Sequence, residues 1–377
     1  MKIAINTIPL LSPLTGVGHY TYQIAKVLQE IDSTHEYSYF YGYYSPNLIS
    51  PGEHPKNFYR LKEAVRKVPF LGTAVRNLKD WPNYLSSRRF DLYFEPNFIP
   101  LKMPAKRTVV TVLDFSFARF PQWHSKDKIH YFQKHFWKKI SRADRIIVIS
   151  DFIREEAIHL FGFSPERVTT IPLGFDPKIF KVYSPKEIDS VRKKYSLPDK
   201  FILSVGSIEP RKNLRNLLRA YQELGGSIRR EYKIVLVGFK GWENKEIMKM
   251  IQSLEGDVYY PGYVPEDDLG KFYNLAHLFA YPSFYEGFGL PPLEAMACGC
   301  PVIVSNTSSL PEVCGDAALY VNPHDITSIR EGMERLLTDD PFRKQLTLKG
   351  FERASRFGWE KSAKEHLKLF EEICPSF

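Results

Sequence analysis

With 377 residues, 44% hydrophobic and 25% charged, the chain is long enough for two domains and has the composition of a globular protein unusually rich in Tyr and Phe. No run of about 18 apolar residues occurs and the start MKIAIN is too short in apolar residues for a signal peptide. A spanning helix is therefore excluded, and a cytoplasmic location is expected, with or without peripheral attachment to the inner face of the membrane. The net charge of +9 leaves an anionic membrane surface, a nucleic acid or an anionic small substrate open as partners.

Residues 2–8 read as a short buried strand, followed by a loop with Pro9, Pro13 and the turn Gly16-Val17-Gly18. A helix over 19–30 comes next, with Tyr20, Ile24, Val27 and Leu28 on one face. Strand, glycine loop and helix open a doubly wound α/β domain. Gly16 and Gly18 let backbone amides approach a phosphate, although the third glycine of a dinucleotide fingerprint is missing. Residues 59–90 carry eight Lys or Arg (Arg60, Lys62, Arg66, Lys67, Arg76, Lys79, Arg88, Arg89) against Glu63 and Asp80, interleaved with apolar residues. Such a segment either lies on an anionic membrane or packs as a solvated helix; no nucleic-acid recognition motif accompanies it.

Strands follow at 91–94, 108–113 and 145–150, and Asp151 is expected to cap the next helix. Asp114 stands at the C-terminal end of its strand, where open parallel sheets bind ligands. The pattern lapses over 174–200, which divides the chain into domains 1–180 and 181–358. It restarts with a strand at 201–205, a loop at 206–210, and a helix marked by Leu214, Leu217, Leu218, Tyr221 and Leu224. Arg211 and Lys212 stand just before that helix, with Asn213 as its expected cap. Two cations at a helix's positive end cost roughly 0.3–1 kcal/mol each, a cost most easily offset by a bound anion such as phosphate. Further strands are expected at 233–237, 257–260 and 278–281, and an amphipathic helix at 359–372. The four cysteines show no paired metal-ligand spacing and read as free thiols.

The stretch 281–305, YPSFYEGFGLPPLEAMACGCPVIVS, holds two glutamates eight positions apart. Glu286 lies in a glycine-loosened loop, whereas Glu294 is expected in the first turn of the next helix, where an acid serves as cap or as ligand. Gly299 stops that helix and 301–304 reads as a buried strand.

At this point the chain resembles, nearly end to end, the retaining GT-B glycosyltransferases of family 4. The E-x7-E element Glu286 to Glu294 is intact, and the runs SVGSIEPRKN, PGYVPEDDL and SLPEVCGDAAL occur in the family's order. The resemblance implies two Rossmann-like domains facing a cleft, with the last helix crossing back onto the first. It implies a hexosyltransferase using a UDP- or GDP-sugar donor and a saccharide or lipid-linked saccharide acceptor, in cell-surface polysaccharide assembly. In that reading Arg211 and Lys212 hold the diphosphate, with Gly206 beside them and Gly16 and Gly18 approaching from the first domain. Glu286 meets the transferred sugar, with amides near Phe288, Gly289 and Leu290. Glu294 takes the ribose, Tyr263 and Val264 the base, and Asp114 the acceptor; Glu286, Asp114, Lys212 and Arg211 form the catalytic set. No D-x-D occurs, so no metal and no other cofactor are expected, and no nucleic acid. The family often has histidines where this chain has Leu113 and Phe94, side chains that cannot hydrogen-bond a sugar hydroxyl. His19 and His124 are nearby in sequence as candidates for that role, although the preferred reading of each is an ordinary surface or loop histidine. A nucleotide-sugar binding protein with lost catalysis is the alternative, and a nicotinamide oxidoreductase a distant third.

Overall fold

The computed structural model describes residues 1–11, 16–50, 88–241 and 244–375; the basic segment expected at 59–90 lies outside them up to residue 87. The first sheet contains β1 (Lys2–Asn6), β2 (Glu36–Phe40), β3 (Tyr44–Ser45), β4 (Phe90–Glu95), β5 (Ala105–Val112), β6 (Arg145–Val148) and β7 (Val168–Thr170). Its order is β3-β2-β1-β4-β5-β6-β7, parallel except for the β2–β3 pair. The second contains β8 (Phe201–Val205), β9 (Lys233–Val237), β10 (Val258–Gly262), β11 (Leu278–Tyr281), β12 (Val302–Ser305) and β13 (Ala318–Val321). Its order is β10-β9-β8-β11-β12-β13, parallel throughout.

Runs such as Ile146-Ile147-Val148 and Val302-Ile303-Val304 are wholly buried, as expected for strands covered by helices on both faces. In each sheet the strand order reverses beside the first strand, at β1/β4 and β8/β11. Ligands of doubly wound sheets sit beyond the C-terminal ends of such strands. Both sheets are the Rossmann-like halves of a GT-B architecture.

The helix Trp359–Ile373 leaves the second sheet and packs along the helix Gly16–Ile31 of the first. Its buried His366 donates from Nδ1 to Ser362 O at 2.7 Å and accepts at Nε2 from the Tyr20 hydroxyl at 2.9 Å, and that hydroxyl oxygen accepts in turn from Thr111 Oγ1 at 2.8 Å. Burial pushes the His366 pKa down to about 4, so the ring is neutral. Phe94 packs on the rings of His366 and Phe370. It belongs to the core under this helix. Where the chain crosses between the halves, Gly174 lies against Gly358: a Cβ on Gly174 would stand 2.2 Å from the Gly358 carbonyl carbon.

Local details differ from the expectations. The first strand ends at Asn6, because residues Ile8–Leu11 wind into a 3-10 turn. The helix expected from His19 already starts at Gly16, so Gly16 and Gly18 lie in its first turn rather than in a loop. Ser150, not Asp151, caps the helix Asp151–Glu155, its hydroxyl accepting from Ile153 N at 3.2 Å. Strands β2, β3, β7 and β13 were not expected; all are short, and β2, β3, β7 and β13 lie at or next to sheet edges. Among the described residues no helix is long and apolar enough to cross a membrane.

Candidate active site

Strand β11 delivers the chain into a loop that the neighbouring elements pin from several sides. Ser309 Oγ donates to the carbonyls of Glu286 (2.9 Å) and Phe288 (2.7 Å), Glu286 N donates to Ser308 Oγ (3.1 Å), and Phe284 N donates to Arg211 O (3.0 Å). Gly289, at φ 113°, then turns the chain into the helix Leu290–Ala297, and a Cβ there would stand 2.7 Å from the Leu310 side chain. Pro291 and Pro292 have no N–H. The amides of Phe288, Gly289 and Leu290 find no acceptor among the described residues. Donors of this kind at the positive end of a helix suit an anion.

Arg211 and Lys212 sit on the 3-10 turn Pro210–Lys212. Arg211 Nη1 donates to Glu286 Oε2 (2.8 Å) and to Tyr285 O (3.0 Å), and Lys212 Nζ donates to Glu286 Oε1 (2.7 Å) and to the Tyr281 hydroxyl. Glu209 holds the other edge of the guanidinium, accepting from Nη2 at 3.0 Å. Glu286 is only 6% exposed. Burial alone would raise its pKa, but the charges of Arg211 and Lys212 bring it down to about 2. Asn213 does not cap the next helix. At φ 57° its side chain donates instead to the carbonyls of Pro282 (2.9 Å) and Pro323 (2.7 Å), tying the cation turn to the Glu286 loop. Gly206 and Gly238 (φ 149° and 147°) let the β8 and β9 loops touch: a Cβ on Gly238 would lie 2.0 Å from Gly206 O, and one on Gly206 would lie 3.2 Å from Lys212 Cε.

Glu294 is not a cap. The helix begins at Leu290, so Glu294 falls in its second turn, buried, with the Tyr273 hydroxyl donating to Oε2 at 3.0 Å. Burial, partly opposed by His19 and reinforced by the charge of Glu266, raises its pKa to about 7. His19 is no ordinary surface histidine. Burial disfavours its charge, yet the 2.9 Å bond to Glu266 Oε1 and the charges of Glu266 and Glu294 raise its pKa. This contact joins the first turns of the helices Gly16–Ile31 and Glu266–Leu275, so Gly16 and Gly18 lie within one turn of the Glu294 group. Tyr263 is 52% exposed and stacks on Phe239, which is also exposed, with ring centroids 4.4 Å apart, while Val264 is buried. Phe288 packs into the core and can offer only its backbone.

Asp114 forms the facing wall. A Cβ on Gly287 would lie 2.1 Å from Leu113 O and 3.2 Å from Asp114 Cβ, so the two loops touch where only glycine fits. Ser150 Oγ donates to Gly287 O at 2.7 Å. The Tyr285 hydroxyl donates to Glu156 Oε2 (2.6 Å) and accepts from Phe115 N (3.1 Å), while Arg119 pairs with Glu156. Glu312 accepts from the amides of Asp151 (2.8 Å) and Phe152 (2.9 Å), a carboxylate of one half closing the helix start of the other.

Thus Arg211, Lys212, Glu286, Gly206 and the 288–290 amides are gathered at one point, with Asp114 against them. Glu294 forms a second group with His19, and Tyr263 a third with Phe239. Sequence reasoning missed Glu209, Tyr281, Tyr285 and Glu312. The first three flank residues it had singled out, whereas nothing local in the sequence marks Glu312 as a partner for residues 151 and 152.

Comparison with known proteins gives a concordant result. The chain matches the families described as "Glycosyl transferases group 1" over residues 186–353 and "Glycosyltransferase Family 4" over residues 14–179. It is 36% identical to the O-antigen chain mannosyltransferase B of Escherichia coli, over 98% of this chain and 100% of that protein. It is 37% identical to the serotype-specific mannosyltransferase WbdA of Escherichia coli over 65% of this chain, which spans only 31% of WbdA. Among solved structures, HepE of Anabaena in complex with UDP-glucose superposes with a TM-score of 0.70 at 17% identity, covering 99% of this chain and 100% of that one. Sucrose-phosphate synthase of Thermosynechococcus elongatus gives 0.69 at 21% identity, covering 99% and 98%.

Proposed function

We propose, since the chain belongs to the group 1 glycosyltransferases of family 4, that it transfers a hexose with retention from a UDP- or GDP-sugar to a saccharide or lipid-linked saccharide. The hexose proposed is mannose, in line with the mannosyltransferases it resembles over their whole or partial length. The observation that carries the reading is the Glu286 carboxylate bridging Arg211 and Lys212, beside three amides without acceptors and against Asp114.

Departure of a nucleoside diphosphate builds negative charge on its phosphates. Two fixed cations and a helix start stabilise that charge without reorganising, the role a metal plays elsewhere, so we propose that no metal is needed. As the diphosphate engages the cations, Glu286 becomes free to accept from hydroxyls of the departing sugar. Glu294 suits a ribose diol, and the exposed Tyr263 suits a base. Asp114 orients the acceptor hydroxyl, whose proton passes to the leaving phosphate on the same face. The excess of positive charge supports work at the cytoplasmic surface of a membrane.

The test is incubation with UDP- and GDP-linked mannose and glucose plus methyl α-D-mannopyranoside, following nucleoside diphosphate release and the product's anomeric signal by NMR. Release with an α-linked product supports the reading; an inverted product contradicts it. A second reading, a nucleotide-sugar binder with weak catalysis, is favoured by Leu113, which offers the cleft no polar side chain. It predicts thermal stabilisation by nucleotide sugar without turnover.

A further inference from the structure

Beside the donor groups, four near-parallel rings cross from one half of the molecule to the other. Phe120 stacks on Trp123 (4.2 Å between centroids, 20°), Trp123 on Phe284 (6.1 Å, 17°), and Phe284 on His324 (4.8 Å, 29°). The widest step falls at the junction, between Trp123 of the first half and Phe284 of the second. Phe284 is tied by its amide to Arg211 O and stands two residues before Glu286. The stacked rings cover much of one another, but Trp123 and Phe284 are both only half-buried, so aromatic surface remains at this widest step. Pyranose rings present an apolar face of C–H groups together with a rim of hydroxyls.

The polar groups around this step are poised and under-used. Ser116 donates to Asp114 Oδ1 through both its amide (2.9 Å) and its hydroxyl (2.7 Å). Its oxygen must then accept from His124 Nε2 (2.9 Å), which leaves the Nδ1 lone pair toward Lys128 Nζ at 3.2 Å. The chain Lys128–His124–Ser116–Asp114 therefore has one consistent set of donors. Lys128 is exposed and has no carboxylate partner among the described residues, while Asp114 Oδ2 and the Trp123 indole N–H find no hydrogen bond among them. His124, read from sequence as an ordinary loop residue, thus supplies an imidazole on the wall where Leu113 cannot.

We infer that the acceptor's sugar ring seats at the step between Trp123 and Phe284, with its hydroxyls held by Asp114, Trp123 Nε1 and Lys128, and with His124 positioning Lys128 and Ser116. This rests on the transferase reading and adds to it the residues that select the acceptor. The seat takes a neutral pyranoside: Asp114 and Lys128 flank it with opposite charges, and the other two charges acting on Lys128, Arg211 and Glu209, are paired with each other.

The experiment uses the full chain with methyl α-D-mannopyranoside and methyl α-D-glucopyranoside as probes. Saturation-transfer NMR with UDP or GDP present is read beside acceptor KM, kcat and nucleotide Kd. Trp123→Ala should raise acceptor KM about tenfold or more, the loss of one good contact, and remove saturation transfer to the ring protons. It should leave kcat within about threefold and nucleotide Kd unchanged. Trp123→Phe should recover part of the loss, and Lys128→Ala should raise KM less steeply; these two decide the matter if Trp123→Ala does not fold. Acceptor KM and saturation transfer unchanged in the variants, with wild type transferring, would overturn the seat and leave the transferase reading standing. If wild type releases no nucleoside diphosphate from any donor and shows no saturation transfer to either glycoside, the transferase reading fails first and the seat with it.

Discussion

Replacing Glu286 with Gln separates the two things this side chain does. In the folded protein its pKa stands near 2 against an ordinary 4.5, because Arg211 and Lys212 reach its two oxygens at 2.8 and 2.7 Å. At 1.36 kcal/mol per unit this shift caps the stabilisation at neutral pH at about 3 kcal/mol, and the burial that lowers the Lys212 pKa offsets part of it. The folded pKa lies below the unfolded one, so the contribution is complete well above pH 4.5 and fades as pH falls toward 2. Glu286→Gln keeps the shape and one acceptor but leaves two buried cations without their counter-charge. We expect a loss of about 2 kcal/mol, or on the order of 4 °C in melting temperature at pH 7, with the gap to wild type narrowing below about pH 4.5. The same change leaves the cations open to a diphosphate. UDP or GDP should therefore bind the variant more tightly and raise its melting temperature more than that of wild type, while transfer is lost. Calorimetry with and without nucleotide checks both halves. A variant as stable as wild type that binds nucleotide more weakly would refute the idea that Glu286 and the diphosphate share these cations.

Gly287→Ala would place a methyl carbon 2.1 Å from Leu113 O, so the loops must part; we expect kcat to fall about a hundredfold with nucleotide Kd changed little, as steady-state kinetics and titration would show. Glu294, with a pKa near 7, should bind a ribose better once ionised, and binding should release its proton. By titration at several pH values, nucleotide affinity is then expected to rise more steeply between pH 6 and 8 in wild type than in Glu294→Gln, where only the terminal phosphate, with a second pKa of about 6, still titrates. Glu312→Ala removes the acceptor for Asp151 N and Phe152 N, worth about 1 kcal/mol as a helix-start contact. It should loosen the two halves, visible as a larger radius of gyration in solution scattering, without altering nucleotide binding by the second half.

How much of this the sequence reveals depends on whether the signal is local. The strands at 201–205, 233–237 and 278–281 occur where the apolar runs place them, because a doubly covered strand needs only a short Val/Ile/Leu block and a turn. The turn before Leu214 and the stop at Gly299 are equally local. What escapes is chemistry assembled from distant segments. Glu294 looks like a cap because helix starts favour acids, but the helix begins four residues earlier and Tyr273 claims the carboxylate. Asn213 looks like a cap too, yet its amide bridges Pro282 and Pro323, 69 and 110 residues away. The packing of Phe94 is set by the C-terminal helix at the far end of the chain, and His124 reads as a bystander until Ser116 joins it to Asp114.

The central claim is that Arg211 and Lys212 hold the donor's diphosphate, and a direct binding titration tests it. UDP and GDP should each be titrated into wild type, Arg211→Ala, Lys212→Ala and Trp123→Ala. One nucleotide is expected to bind wild type and Trp123→Ala alike and to bind each cation variant about tenfold to a hundredfold more weakly, the worth of a charge-assisted contact to phosphate. Equal affinity across all four proteins would contradict the account.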